Sequence, residues 1–282
     1  MKWSSGDRGN IEDRRGSTMR AGVPIGIGGV VVLLALSWVT GTDFLSLLGG
    51  GESIESPAAD NSPAPSTPQE ERMVDFVDAV AGDTQSAWTE LLGARYQPTR
   101  VVLFRDAIQS ACGFAEAATG PFYCPGDRKV YLDLGFFDEL DQRFGAPGDF
   151  AQAYVIAHEF GHHVQNLLGT SARVEGDRRA GGNSASVALE LQADCYAGVW
   201  GHVASQSGRF RAGRVELEPG DADEALRAAA AIGDDRLQKM SAGRVQPDRF
   251  THGTSAQRME WFRRGMESGD PARCDTFREI TH

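Results

Sequence analysis

The run His158-Glu159-Phe160-Gly161-His162 constrains the fold of this chain more than any other, because its residues work together only on a helix. Residues i and i+4 lie on one helical face about 6 Å apart, so the two imidazoles can clasp one ion. Glu159 sits roughly 100° round from His158, beside the ion rather than on it, where it can take a proton from water. The flanks predict the helix itself: Asp149 as N-cap, the apolar approach Phe150 to Ile156, and Gly169 closing the run after Leu168.

A catalytic zinc site usually takes three protein ligands and keeps one position open. The third is expected in Ala188-Leu189-Glu190-Leu191-Gln192-Ala193-Asp194-Cys195, where Glu190 and Asp194 again share one helical face. We assign Glu190 to the metal and Asp194 to the ring N–H of a ligand histidine. His158, His162 and Glu190 are then the ligands of a single Zn²⁺, and Glu159 is the general base. His163 falls off the metal face, as surface or support. Cys195 lies about 140° round from Glu190 and should face away from the ion.

His-Glu-x-x-His followed by Glu-x-x-x-Asp resembles the metallopeptidases whose third zinc ligand is a glutamate. The resemblance extends to Gly120-Pro121-Phe122-Tyr123-Cys124-Pro125, Val130-Tyr131-Leu132-Asp133, His158 to Gln165, Glu190 to Trp200 and Phe250-Thr251-His252-Gly253-Thr254-Ser255. Together these are similar to the bacterial putative neutral zinc metallopeptidases, from the N-terminus to about Phe277. The resemblance implies a zinc-dependent endopeptidase acting on polypeptides. It also implies a zincin-like α+β domain, mainly helical with a small β-sheet, preceded by one transmembrane helix. Under it, the strand Lys129 to Leu132 would edge the cleft and pair with extended substrate, the alternative being a plain core strand.

Peptide hydrolysis also needs a donor for the oxyanion of the tetrahedral intermediate. His252, just before a helix that opens at Thr254, is one candidate, against a purely structural role. Tyr154, four residues before His158, is the competing donor, with packing as its alternative.

Residues 21–42 carry no charge and would span about 33 Å as a helix, enough for a hydrocarbon core of roughly 30 Å. Ser37-Trp38-Val39 after the apolar heart is not a small-x-small cleavage site, so a membrane anchor is preferred to a signal peptide. Lys2, Arg8, Arg14, Arg15 and Arg20 precede the span, while Asp43, Glu52 and Glu55 follow it. The positive-inside rule therefore puts residues 1–20 in the cytoplasm, residues 43–70 outside as a flexible linker, and residues 71–282 outside as the metallopeptidase domain of a single-pass inner-membrane protein. All four cysteines lie beyond the span, which fits an oxidising compartment. Three pairings are open in principle. Cys112 with Cys124 is the expected local bridge, leaving Cys195 for Cys274. A net charge of −11 argues against nucleic acid as a partner.

Elsewhere the sequence predicts a helix over 72–92, a strand at Arg100 to Phe104, a turn-rich stretch Gly120 to Gly126, an Ala-rich helix from Asp221 to about Met240, and a last helix capped by Thr254 and Gln257. Three rival functions stay open: a catalytically weak or inactive metal-binding envelope scaffold, a different metal-dependent hydrolase, and a tethered domain without metal. The sequence carries no signal for an oligomeric state.

Overall fold

Thr67 starts the first long helix, α1 (Pro68–Leu92), by accepting a hydrogen bond from the Glu70 N–H, with Pro68 and the acidic Glu70 and Glu71 in the first turn. The helix thus begins inside the stretch expected to be linker. It buries Val74, Val77, Ala81 and Trp88 at helical spacing. A computed structural model describes residues 1–16, 66–174, 181, 184–210 and 214–280 of the chain. Among them the fold is mainly helical with two small sheets. No helix among the described residues is long and apolar enough to cross a membrane. Residues 21–42, where the span is expected, lie outside them.

The larger sheet has four strands: β1 (Ile11–Asp13), β2 (Val101–Phe104), β5 (Phe122–Cys124) and β6 (Lys129–Asp133), in the order β1-β2-β6-β5. β1, β2 and β6 run parallel, and β5 is antiparallel to β6 with Phe122 opposite Tyr131. The hairpin β3 (Ala107–Ser110) and β4 (Gly113–Glu116), unforeseen in the sequence, forms the second sheet. Lys129–Asp133 is therefore an inner strand, as the core-strand alternative has it, and not the cleft edge. β5, within the turn-rich stretch, pairs along its outer side and becomes the edge instead. The Phe122 ring stacks on Tyr131 at 4.8 Å, and Cys124 is bonded to Cys112 beside the hairpin turn.

Residues 1–20 are expected to stand apart from the domain, but Met1–Arg14 belong to the same compact unit as Ser66–His282. Ile11 pairs with Val101 and Asp13 with Leu103. The buried Asp78 carboxylate accepts from the backbone N–H groups of Arg8 and Asn10 at 3.0 and 3.1 Å, and Arg8 Nε reaches Asp75 at 2.7 Å. Acidic residues on α1 and the open side of β2 give this segment a partner, which a tally of flanking cations cannot reveal.

The remaining helices are α2 (Gly135–Gln142), α3 (Asp149–Leu167), α4 (Ala185–Ala204), α5 (Asp221–Ala231), α6 (Asp234–Ala242), α7 (Ser255–Ser268) and α8 (Thr276–Ile280). α3 lies at the centre, packed on α1, α4, α5 and the sheet, with Phe150, Tyr154, Ala157, Phe160 and Val164 buried. Asp149 is its first residue and not its cap. The Phe150 N–H instead donates to the Glu224 carboxylate on α5, at 3.1 Å. The Ala-rich stretch is two helices, because Gly233 breaks it where the chain passes Ser255 so closely that a Cβ would lie 2.4 Å from the Ser255 nitrogen. α7 carries the expected capping box of Thr254 and Gln257. Both expected disulfides, Cys112–Cys124 and Cys195–Cys274, are present.

Candidate metal centre

α3 presents His158 and His162 one turn apart, with ring centroids 4.8 Å apart, toward Glu190 in the second turn of α4. The two helices come this close because Gly161 faces α4, where a Cβ would lie 3.0 Å from the Ala193 Cα and carbonyl oxygen. Glu190 Oε2 stands 3.2 Å from His158 Nε2, and Oε1 stands 3.5 Å from His162 Nε2. Donors held about 2.0–2.2 Å from a tetrahedral ion are separated by about 3.3 Å, so both spacings suit one zinc-sized cation.

The outer nitrogens of both rings are already engaged. His158 Nδ1 lies 2.8 Å from Asp194 Oδ1, and His162 Nδ1 lies 2.8 Å from Gln165 Oε1. Each partner is an acceptor, so each Nδ1 carries a proton and Nε2 is the ring nitrogen that faces Glu190. Gln165 is itself fixed by donating to Leu189 O at 2.7 Å.

Asp194 is fully buried and anchored by four donor groups. Arg258 on α7 gives two, Nε to Oδ2 at 2.9 Å and Nη2 to Oδ1 at 2.8 Å, while Tyr154 Oη donates to Oδ1 at 2.5 Å and His158 supplies the fourth. Burial alone would raise the Asp194 pKa, but Arg258 and His158 outweigh it and hold the carboxyl below its ordinary range. Burial likewise opposes ionisation of Glu190, yet the two imidazoles keep it well below the usual carboxylate value. Burial pulls the His158 pKa down, but Asp194 and Glu190 prevail and push it up to about 10. The pocket therefore favours a cation between the rings and Glu190.

The centre opens into a cavity of about 920 Å³, whose lining includes Glu159, His252, Tyr123 and Phe122 as well as the three donors. Tyr154 does not reach it, being fully buried with its hydroxyl committed to Asp194. His163 is buried behind the site rather than on the surface. Its Nε2 donates to Gln97 O at 2.6 Å and its Nδ1 accepts from Tyr123 Oη at 3.1 Å, tying the edge strand to the metal helix. Burial lowers its pKa, which keeps the ring neutral for this bridge. Cys195, bonded to Cys274, faces away from the donors. The sequence alone assigns no role to Arg258 or Gln165. A buried carboxylate demands a counter-charge, but nothing in the chain marks Arg258 as its source.

The model of the family described as putative neutral zinc metallopeptidase matches residues 1–277. An uncharacterized protein of Escherichia coli K12, YpfJ, is 43% identical over 294 residues, covering 98% of this chain and 99% of its own. The uncharacterized protein Rv2575 of Mycobacterium tuberculosis H37Rv is 46% identical over 206 residues, covering 71% of this chain and 69% of its own. No solved structure matches the chain.

Proposed function

Since this chain belongs to the putative neutral zinc metallopeptidases, a family whose description implies a polypeptide substrate, we propose that it is a zinc-dependent endopeptidase with its active centre at His158, His162 and Glu190. The observation that carries the reading is the convergence of both Nε2 atoms on the Glu190 carboxylate, with each Nδ1 held from behind, beside a carboxylate that is not part of the donor group. A bound zinc ion supplies a Lewis acid for a peptide carbonyl and makes water acidic enough to ionise near neutral pH. Glu159 accepts the proton of the attacking water. As the new C–O bond forms and the C–N bond breaks, it returns that proton to the departing amine. Asp194 and Gln165 keep the two imidazoles in register. β5 is the sheet edge and lines the cavity, which supports docking of an extended peptide along its free backbone groups. His252, in the cavity wall, is the oxyanion donor in this reading.

Elemental analysis of the full chain, with cleavage assays on unstructured polypeptides with and without chelator, tests the proposal. One equivalent of zinc and chelator-sensitive cleavage are expected. His162→Ala should lose both ion and turnover. A chain that holds an ion and cleaves nothing leaves the scaffold reading, and a chain that holds none sinks both.

Location is part of the proposal. Two disulfides support an oxidising compartment, and the uncharged residues 21–42 support attachment to a membrane. The pairing of β1 with β2 favours an N-terminus on the same side as the active centre. Epitopes at the two ends should therefore be equally open to protease added to spheroplasts. Protection of the N-terminal epitope alone would mean that β1 is not docked in the cell.

A further inference from the structure

The loop carrying His252 has little regular structure to fix it. A single 3-10 turn (Pro247–Arg249) precedes it, Gly253 takes φ 91°, and α7 begins only at Ser255. One carboxylate holds it. Asp234, the first residue of α6, accepts at Oδ2 from the backbone N–H groups of Thr251, His252 and Gly253, at 2.7, 2.7 and 3.0 Å. Its own N–H donates back to Gly253 O at 2.9 Å. Oδ1, the oxygen left over, lies 3.3 Å from His252 Nδ1, which also meets Thr251 Oγ1 at 2.8 Å. Among the described residues Nε2 has no hydrogen-bond partner, and the half-exposed side chain lines the cavity of the metal centre.

We propose that Asp234 is a positioning residue for peptide hydrolysis: it pins residues 251–253 into the cleft wall and engages His252 Nδ1 so that Nε2–H is kept for the carbonyl oxygen that gains charge on attack. This inference rests on the peptidase reading of the same cleft. A ring with Nδ1–H turned to a carboxylate donates from Nε2 only as imidazolium. Of the charged groups that act on it, Asp234 on α6 favours that form and Arg258 on α7 opposes it, while Glu190 on α4, which favours it in the metal-free chain, is committed to the ion in the loaded enzyme. The hydrogen bond to Asp234 is the largest influence, burial works against it, and the pKa stands above its ordinary value. The donor is therefore present below that raised pKa and lost as pH climbs through it.

Asp234→Asn keeps the shape and one oxygen for the loop amides but removes the charge facing Nδ1. Its kcat/KM should fall roughly tenfold to a hundredfold, less than the loss for deleting an oxyanion donor outright, with KM nearly constant. The alkaline limb of the pH profile should move to lower pH. In ¹⁵N spectra of the metal-free full chain, the His252 ring should titrate lower than in the wild type. In a His252→Ala background the same exchange should cost almost nothing more. An unchanged pH profile with an unchanged His252 titration overturns the inference, as does an equal loss in the His252→Ala background, which marks Asp234 as merely structural. If the wild type cleaves no polypeptide, the peptidase reading fails by itself, and the spectra alone decide whether Asp234 holds the ring.

Discussion

Exchanging Glu159 for glutamine is expected to leave the metal content near wild type and to cut turnover by at least about 10²–10⁴-fold, the usual worth of a positioned general base. The two halves of this expectation have separate causes. Glu159 lies on the metal helix between the two histidines, yet the converging donor atoms belong to His158, His162 and Glu190. Glutamine therefore removes none of the three. The amide matches the carboxylate in size but cannot accept a proton from water while that water attacks. Elemental analysis and cleavage rates on one preparation separate the effects. Loss of the ion would make Glu159 a ligand, and undiminished turnover would strip it of its role. His162→Ala gives the contrast, since there both quantities should fall together.

The candidate donors are legible in the chain because helical geometry is local. Four residues separate His158 from His162 and Glu190 from Asp194, and one turn of backbone does the rest. What holds those donors was less legible, because it comes from far away. Arg258 is 64 residues from Asp194, and nothing in its own helix assigns it a role. For His163 the sequence leaves surface and support equally open, and support holds because its partners Gln97 and Tyr123 sit on other segments. The sheet edge is not legible in the chain because β5 is three residues long and set among glycines and prolines, so only its register with β6 identifies it. β1, Ile-Glu-Asp, has no alternation of apolar residues at all. Its strand character is conferred by β2, and no reading of its own residues could supply that.

A larger structural effect is expected from Gly198→Ala than from any other glycine exchange along the metal helices. A Cβ at Gly198 would lie 2.1 Å from the Phe262 carbonyl oxygen and 2.8 Å from the Met266 nitrogen, and one at Gly265 would lie 2.0 Å from the Cys195 oxygen. α4 and α7 thus touch backbone to backbone at two reciprocal points, with no flexible side chain to yield. Separation is resisted by the Asp194–Arg258 pair and by the Cys195–Cys274 bond close by. Alanine would return about 1 kcal/mol of helix propensity. Overpacking a tight interior typically costs about 1–3 kcal/mol, and contacts this short against fixed backbone belong at or beyond the upper end. Gly161→Ala, whose nearest contacts are 3.0 Å, should be milder, and Gly169→Ala, which meets nothing within 4 Å, should cost only its φ of +76°. The order should appear in thermal melts of the metal-free forms. Because Arg258 rides on α7, Gly198→Ala should also loosen Asp194 and weaken zinc binding by about 10–100-fold, the scale of losing a partner behind a ligand. A Gly198→Ala protein that melts and binds zinc like the wild type would mean that these helices do not touch, and the support assigned to Asp194 would have to come from elsewhere.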